Sequence, residues 1–131
     1  MKIYLCAKFS EQDLMRAWKS ILEDYDYIVT SRWIYAEEAD LAIAGKTNAE
    51  MDLEDINKAD VVISKTLNRG DMFTGGGRHI EFGYAYAKGK HLINVGGYES
   101  VFHKLPQVIT VPTIYKAILI LDNLKNGETA L

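Results

Sequence analysis

A glycine-rich turn, two basic side chains and a carboxylate stand together in Thr74-Gly75-Gly76-Gly77-Arg78-His79-Ile80-Glu81-Phe82-Gly83-Tyr84-Ala85. Three successive glycines let a backbone take φ > 0 and let a ligand come close to it. A helix that starts there presents free N–H groups to an anion. Glu81 falls about one turn in, on a side chain long enough to reach a bound ligand. The chemistry this allows is binding of a small, phosphorylated ligand with a carboxylate at hand. Glu81 then reads as a nucleophile or general acid/base. The competing reading is a surface glutamate that gains from the helix dipole. Phe82, Gly83, Ala85 and Ala87 favour the first, because they look like close packing against a sheet. For Arg78 and His79 two readings stand level. An arginine fork with backbone N–H groups suits a phosphate, and two exposed polar residues suit any first helical turn.

Other carboxylates lie upstream. Asp52 and Asp55 are three residues apart, on one face of a helix. Asp52 reads as the one offered to a ligand, Asp55 as an ordinary solvated acid and Asp60 as a turn or capping residue. Tyr4 sits in the first strand, either as core with its hydroxyl satisfied or as a partner for a catalytic carboxylate. His79, His91 and His103 lack metal-ligand spacing, so neither a metal nor any other cofactor is expected. The phosphate-loop, dinucleotide-binding and serine-hydrolase glycine motifs are missing from the sequence.

These residues need a frame. Strands are expected over 2–7, 27–31, 60–65, 91–95 and 108–111. Helices are expected from Ser10, as cap, to about residue 24, then over 37–44, 48–59 and 78–88, and from a Thr113 cap onward. In the first helix Leu14, Ala17, Trp18, Ile21 and Leu22 recur at helical spacing. In the helix over 48–59 and the last helix, Leu53 and Ile56, then Ile114, Ala117, Ile118 and Leu121, form inward stripes. Residues 66–77 and 96–106 read as loops, the second with a helical turn over 100–105. Gly89 stops one helix, and the tail after Gly127 reads as frayed. Alternating strands and helices imply a parallel sheet with helices on both faces. Ligands in such folds bind beyond the carboxyl ends of the strands. Phe9, Arg32, Trp33, Arg69, the glycine triplet and Tyr98 gather in the loops at that end.

The 131 residues fit one domain, 1–131, with 48% hydrophobic and 25% charged residues. A net charge of −3 argues against binding a nucleic-acid polymer but not a nucleotide monomer. The lone Cys6, in an apolar run, reads as a buried structural thiol in a reducing compartment. No signal pattern is read at Met1, and no apolar stretch approaches the ~20 residues that span a bilayer. The expected location is the cytoplasm, without membrane contact.

Three pieces together resemble the nucleoside 2-deoxyribosyltransferases and the related 2′-deoxynucleoside 5′-phosphate N-hydrolases. They are Lys2-Ile3-Tyr4-Leu5-Cys6-Ala7, then Asp52-Leu53-x-x-Ile56-x-x-x-Asp60, then Glu81-Phe82-Gly83-Tyr84-Ala85 followed by Gly89-Lys90 and a strand. Order and spacing match over residues 2–96. The resemblance implies a flavodoxin-like, Rossmann-like α/β sandwich of three layers, with a five-stranded, mainly parallel sheet. It implies cleavage of an N-glycosidic bond, with Glu81 as nucleophile, Asp52 as the acid that meets the leaving base, and Tyr4 orienting Glu81. Phe9, Arg32, Trp33, Thr74, Gly75, Gly76, Gly77, Arg78 and His79 are then the candidate substrate-binding residues. The resemblance also implies a homo-oligomer with its site near a subunit interface, where Tyr98, Phe102 or His103 would reach in from a neighbouring chain. One position departs from the transferases, which carry an aspartate where this chain has Gly75. A small loop there suits a 5′-phosphate, with charge from Arg78 or Arg69, and tilts the expectation toward a nucleotide and hydrolysis. Two other functions compete: a non-catalytic nucleotide-binding or signalling module on the same fold, and an NAD glycohydrolase.

Overall fold

The computed structural model describes residues 1–37, 47–66 and 76–127. Among them, five strands form one sheet: β1 (Lys2–Cys6), β2 (Ile28–Val29), β3 (Val61–Lys65), β4 (His91–Val95) and β5 (Val108–Val111). Every neighbouring pair is parallel, in the order β2-β1-β3-β4-β5. The helices are α1 (Gln12–Asp24), α2 (Asn48–Lys58), α3 (Gly77–Ala87) and α4 (Ile114–Lys125). The chain steps one way from β1 to β2 and the other way from β2 to β3 and β4. Right-handed crossovers therefore put α1 on the face opposite α2 and α3. The Tyr27 hydroxyl, just past α1, donates to Asp122 of α4 and ties α4 to the α1 side. The architecture is the expected three-layer, flavodoxin-like sandwich.

Burial on both faces explains the unpunctuated apolar strands. Ile3, Tyr4, Leu5 and Cys6 of β1, Val61, Val62 and Ile63 of β3, and Leu92 and Ile93 of β4 are all sealed from solvent. Each large aliphatic side chain so buried contributes about 1.5–3 kcal/mol. The last helix has the expected inward stripe, and Thr113 caps it by accepting from Lys116 N at 3.2 Å.

Some expectations need correcting. Ser10 does not cap α1. A single 3-10 turn, Phe9–Glu11, precedes the helix, and no side chain bonds at its cap. Its buried stripe is Met15, Trp18 and Leu22, while Leu14 and Ala17 face water. Leu14 and Met15 are both apolar, so the pattern does not choose between two rotations of the helix; contact with the sheet does. Strand β2 is shorter than expected. The ladder continues through Thr30 N to Ile3 O at 2.8 Å, and then Ser31 bonds Leu5 through its side chain instead. In α2 the inward residues are Met51, Asp55 and Ile56, with Leu53 only partly buried. The helix expected over 37–44 lies, apart from Glu37, outside the described residues, as do Arg69, Thr74, Gly75 and the tail from residue 128.

Candidate functional site

The switch in strand order falls at β1, between β2 and β3, and the crevice beyond the carboxyl ends there is where such folds take ligands. Tyr4 is fully buried in β1, and its hydroxyl donates to the Glu81 carboxylate on α3. Both readings of Tyr4 thus hold together: it is core, and it bonds a carboxylate. Burial first, and then the Glu81 charge, hold its hydroxyl well above the ordinary range, so it stays a neutral donor. Burial pushes Glu81 up to about 8; the Tyr4 bond pulls it down, and the charge of Asp52 adds to the rise. Asp52, half-buried on α2, is raised to about 7 by burial and by the charge of Asp55, against the pull of Arg32. Two carboxyl groups that sense each other, both raised toward neutrality, can carry out acid and nucleophile chemistry at ordinary pH.

One wall of this crevice is the segment after β2. Ser31 Oγ accepts from Leu5 N at 2.6 Å, and Trp33 Nε1 donates to Leu5 O at 2.7 Å. Trp33 is therefore a buried anchor, with the half-buried Phe9 beside it at 6.3 Å between ring centroids. Arg32 keeps its head about half exposed while bonding Asp55 at 2.9 Å and Glu54 at 3.2 Å. Asp55 is not the solvated acid the sequence led us to expect; it is 1% exposed. Asp60, read as a turn or capping residue, instead ties the start of β3 to the start of β1, accepting from Lys2 N at 2.8 Å.

Gly76 occupies the cap position of α3 and brings no side chain to it, and Gly77 is its first residue. Neither has φ > 0, and a Cβ on either would meet nothing within 4 Å. At these two glycines, then, the bare backbone is open rather than strained. Arg78 is buried, against the reading of two exposed polar residues, and its guanidinium meets Glu99 at 2.5 Å. His79 is exposed and 3.5 Å from the same carboxylate. His103 is buried in its own chain: its Nδ1 accepts from Glu99 N at 3.1 Å and from Ser100 N at 3.3 Å. That arrangement does not fit a residue reaching into a neighbour's site. Tyr98 and Phe102 do point outward. Cys6 is the buried thiol expected, held to Arg78 O at 3.1 Å and raised by burial. Among the described residues, no three His, Cys, Asp or Glu side chains gather as a metal-binding group, and no helix is long and apolar enough to cross a membrane.

Sequence reasoning missed Asp55, Ser31 and Glu99. Only the Asp52/Asp55 spacing carried a signal, and it did not say which of the two faces inward.

No protein-family model matches the chain, and no curated protein matches it significantly. Among solved structures, the CMP N-glycosidase BcmB of Clostridium botulinum is similar over 93% of this chain and 98% of that chain, with a TM-score of 0.58 and 22% identity. The likeness establishes the fold. It agrees with the architecture implied by the three sequence pieces and covers almost the whole length of both chains.

Proposed function

We propose that this chain is an N-glycosidase that hydrolyses the bond between base and sugar in a 2′-deoxynucleotide or deoxynucleoside, with the 5′-monophosphate preferred. The observation that carries this reading is the Tyr4–Glu81 bond beside Asp52, at the carboxyl ends of the strands. The fold neighbour, named as a CMP N-glycosidase, supports the N-glycosidase part of this reading. In the first step a Glu81 oxygen bonds to the anomeric carbon as the glycosidic C–N bond breaks. The electron pair leaves with the base nitrogen, and Asp52 supplies its proton. Charge at the sugar builds in an oxocarbenium-like state that Glu81 stabilises. Water then attacks the same carbon, gives its proton to Asp52 and releases Glu81. The products are free base and sugar, or sugar phosphate, with configuration retained. Tyr4 orients the nucleophile throughout. Phe9 and Trp33 flank the base side, and the Gly76–Gly77 backbone, with His79 near it, receives the phosphate.

Incubation with deoxynucleosides, deoxynucleoside monophosphates, CMP and NAD, followed by chromatography for free base, tests this. A deoxynucleoside monophosphate should release base fastest. Glu81→Gln should fall to background, and Asp52→Asn should lose about 10²–10⁴-fold in kcat. Release of no base from any compound would sink the enzyme reading and leave a nucleotide-binding module.

A further inference from the structure

Asp55 lies one helical turn beyond Asp52 on α2, sealed from solvent, and both of its oxygens are in use. Oδ2 accepts from the backbone N–H of Arg32 at 3.0 Å, and Oδ1 from Arg32 Nε at 2.9 Å. The Asp55 carbonyl accepts from Thr30 Oγ1 at 2.9 Å. Thr30 and Arg32 are thus tied to α2, while Ser31 and Trp33 between and beside them are tied to Leu5 of β1. Leu5 directly follows Tyr4. One short segment therefore links the helix of Asp52 to the strand of Tyr4, and Asp55 is its joint on the helix side. A buried carboxylate that loses its partner costs several kcal/mol, so the joint has one preferred arrangement.

We propose that Asp55 is a positioning residue: with Arg32 it clamps the segment after β2 between α2 and β1, and so sets Asp52 relative to Tyr4 and Glu81. This rests on reading Asp52 as the acid of the proposed reaction. The clamp also shapes the field at Asp52. The charges that act on it are Asp55 and Arg32 nearby, and Asp52 in turn acts on Glu81 from α3 and on Tyr4 and Cys6 from β1. Tyr4 and Cys6 are held neutral by burial. The Asp55 charge raises Asp52 and the Arg32 charge lowers it. Removing the Asp55 charge takes away a repulsion and leaves Arg32 less neutralised. Both changes make Asp52 ionise more readily.

The test follows the carboxyl carbon signals of aspartate-labelled full chain through a pH titration without substrate, with Asp52 assigned from its Asn variant. Asp55→Asn keeps an acceptor for Arg32 but not the charge, so Asp52 should titrate about one unit lower than in the parent. Asp55→Ala removes the clamp, and the Trp33 indole N–H should exchange with solvent about tenfold faster. An Asp52 titration unmoved by Asp55→Asn overturns the proposal, as does Trp33 protection unmoved by Asp55→Ala. If the alanine variant fails to fold, the asparagine variant decides alone. Because the titration needs no substrate, it separates the two claims. Failure to release base defeats the proposed function, whereas base release with an unmoved Asp52 defeats only this inference.

Discussion

Burial and the Tyr4 hydroxyl pull Glu81 in opposite directions, and burial wins. Burying a carboxylate charge costs more than one neutral hydrogen bond returns. With Asp52 near 7 and Glu81 near 8, the pair sheds its two protons in successive steps. Below about 7 both groups are protonated, and Glu81 cannot attack. Above about 8 both are ionised, and nothing is left to protonate the base. In between the pair holds one proton, which these values put mainly on Glu81; the reacting form, Glu81 ionised and Asp52 protonated, is the minor tautomer of that one-proton state. We therefore expect a bell-shaped kcat/KM for base release with its maximum between about 7 and about 8, falling about tenfold per pH unit on each side. A flat or monotonic profile would contradict the assigned roles. At this scale the residue types were legible in the sequence. Tyr4, Asp52 and Glu81 carry groups that suit the chemistry, but spacing could not show that Tyr4 and Glu81, 77 residues apart, meet; only the family resemblance implied it. Asp55 was misread because a spacing of three does not say which of two acids turns inward.

At the scale of elements, the loops between strands and helices set where these side chains stand, and one described glycine there combines a positive φ with a crowded Cβ position. Gly96 follows β4 with φ of +121°, and a Cβ on it would run into the Thr66 hydroxyl just past β3. Thr66 is buried and its N–H bonds Val95 O at 3.1 Å, so it has little room to yield. Gly96→Ala should destabilise the protein by about 1–3 kcal/mol in urea unfolding. Gly97→Ala, where a Cβ meets nothing within 4 Å, should stay within about 0.5 kcal/mol of the parent. Equal effects at the two positions would refute the strain argument. Of the glycine triplet that drew attention in the sequence, the two described, Gly76 and Gly77, prove unstrained, while Gly89, Gly96 and Gly127 carry positive φ. Strand content and helix order were legible from periodicity. The last helix's start was legible from its Thr113 cap, whereas the cap at Thr47 went unread and at Ser10 a 3-10 turn intervenes.

At the scale of the molecule, α3 and the 3-10 turn Val101–Lys104 leave an apolar groove of about 640 Å³ on the side of α3 that carries His79 and Ile80. Ile80, Phe102 and Tyr86, which line it, stand 72%, 63% and 40% exposed. Large apolar side chains gathered in one place suit an association surface, and we propose a second copy of this chain, the homo-oligomer the sequence resemblance implies, as its occupant. Light scattering should find the parent chain above monomer mass and Phe102→Glu at monomer mass; a monomeric parent would end this expectation.

The sequence by itself determined the layering. Strands buried on both faces must read as apolar runs and helices on a sheet as periodic stripes, and these signals are local, so the alternation of strands and helices around a parallel sheet was readable from the chain. The tertiary structure decided how the chemical groups are used. It turned Asp55 inward to clamp Arg32, met the charge of Arg78 with Glu99, buried His103 against its own loop, and brought the Tyr4 hydroxyl to Glu81. Those outcomes depend on the rotation of each helix against the sheet and on strand register, which arise only when distant segments pack and compete for the same buried volume.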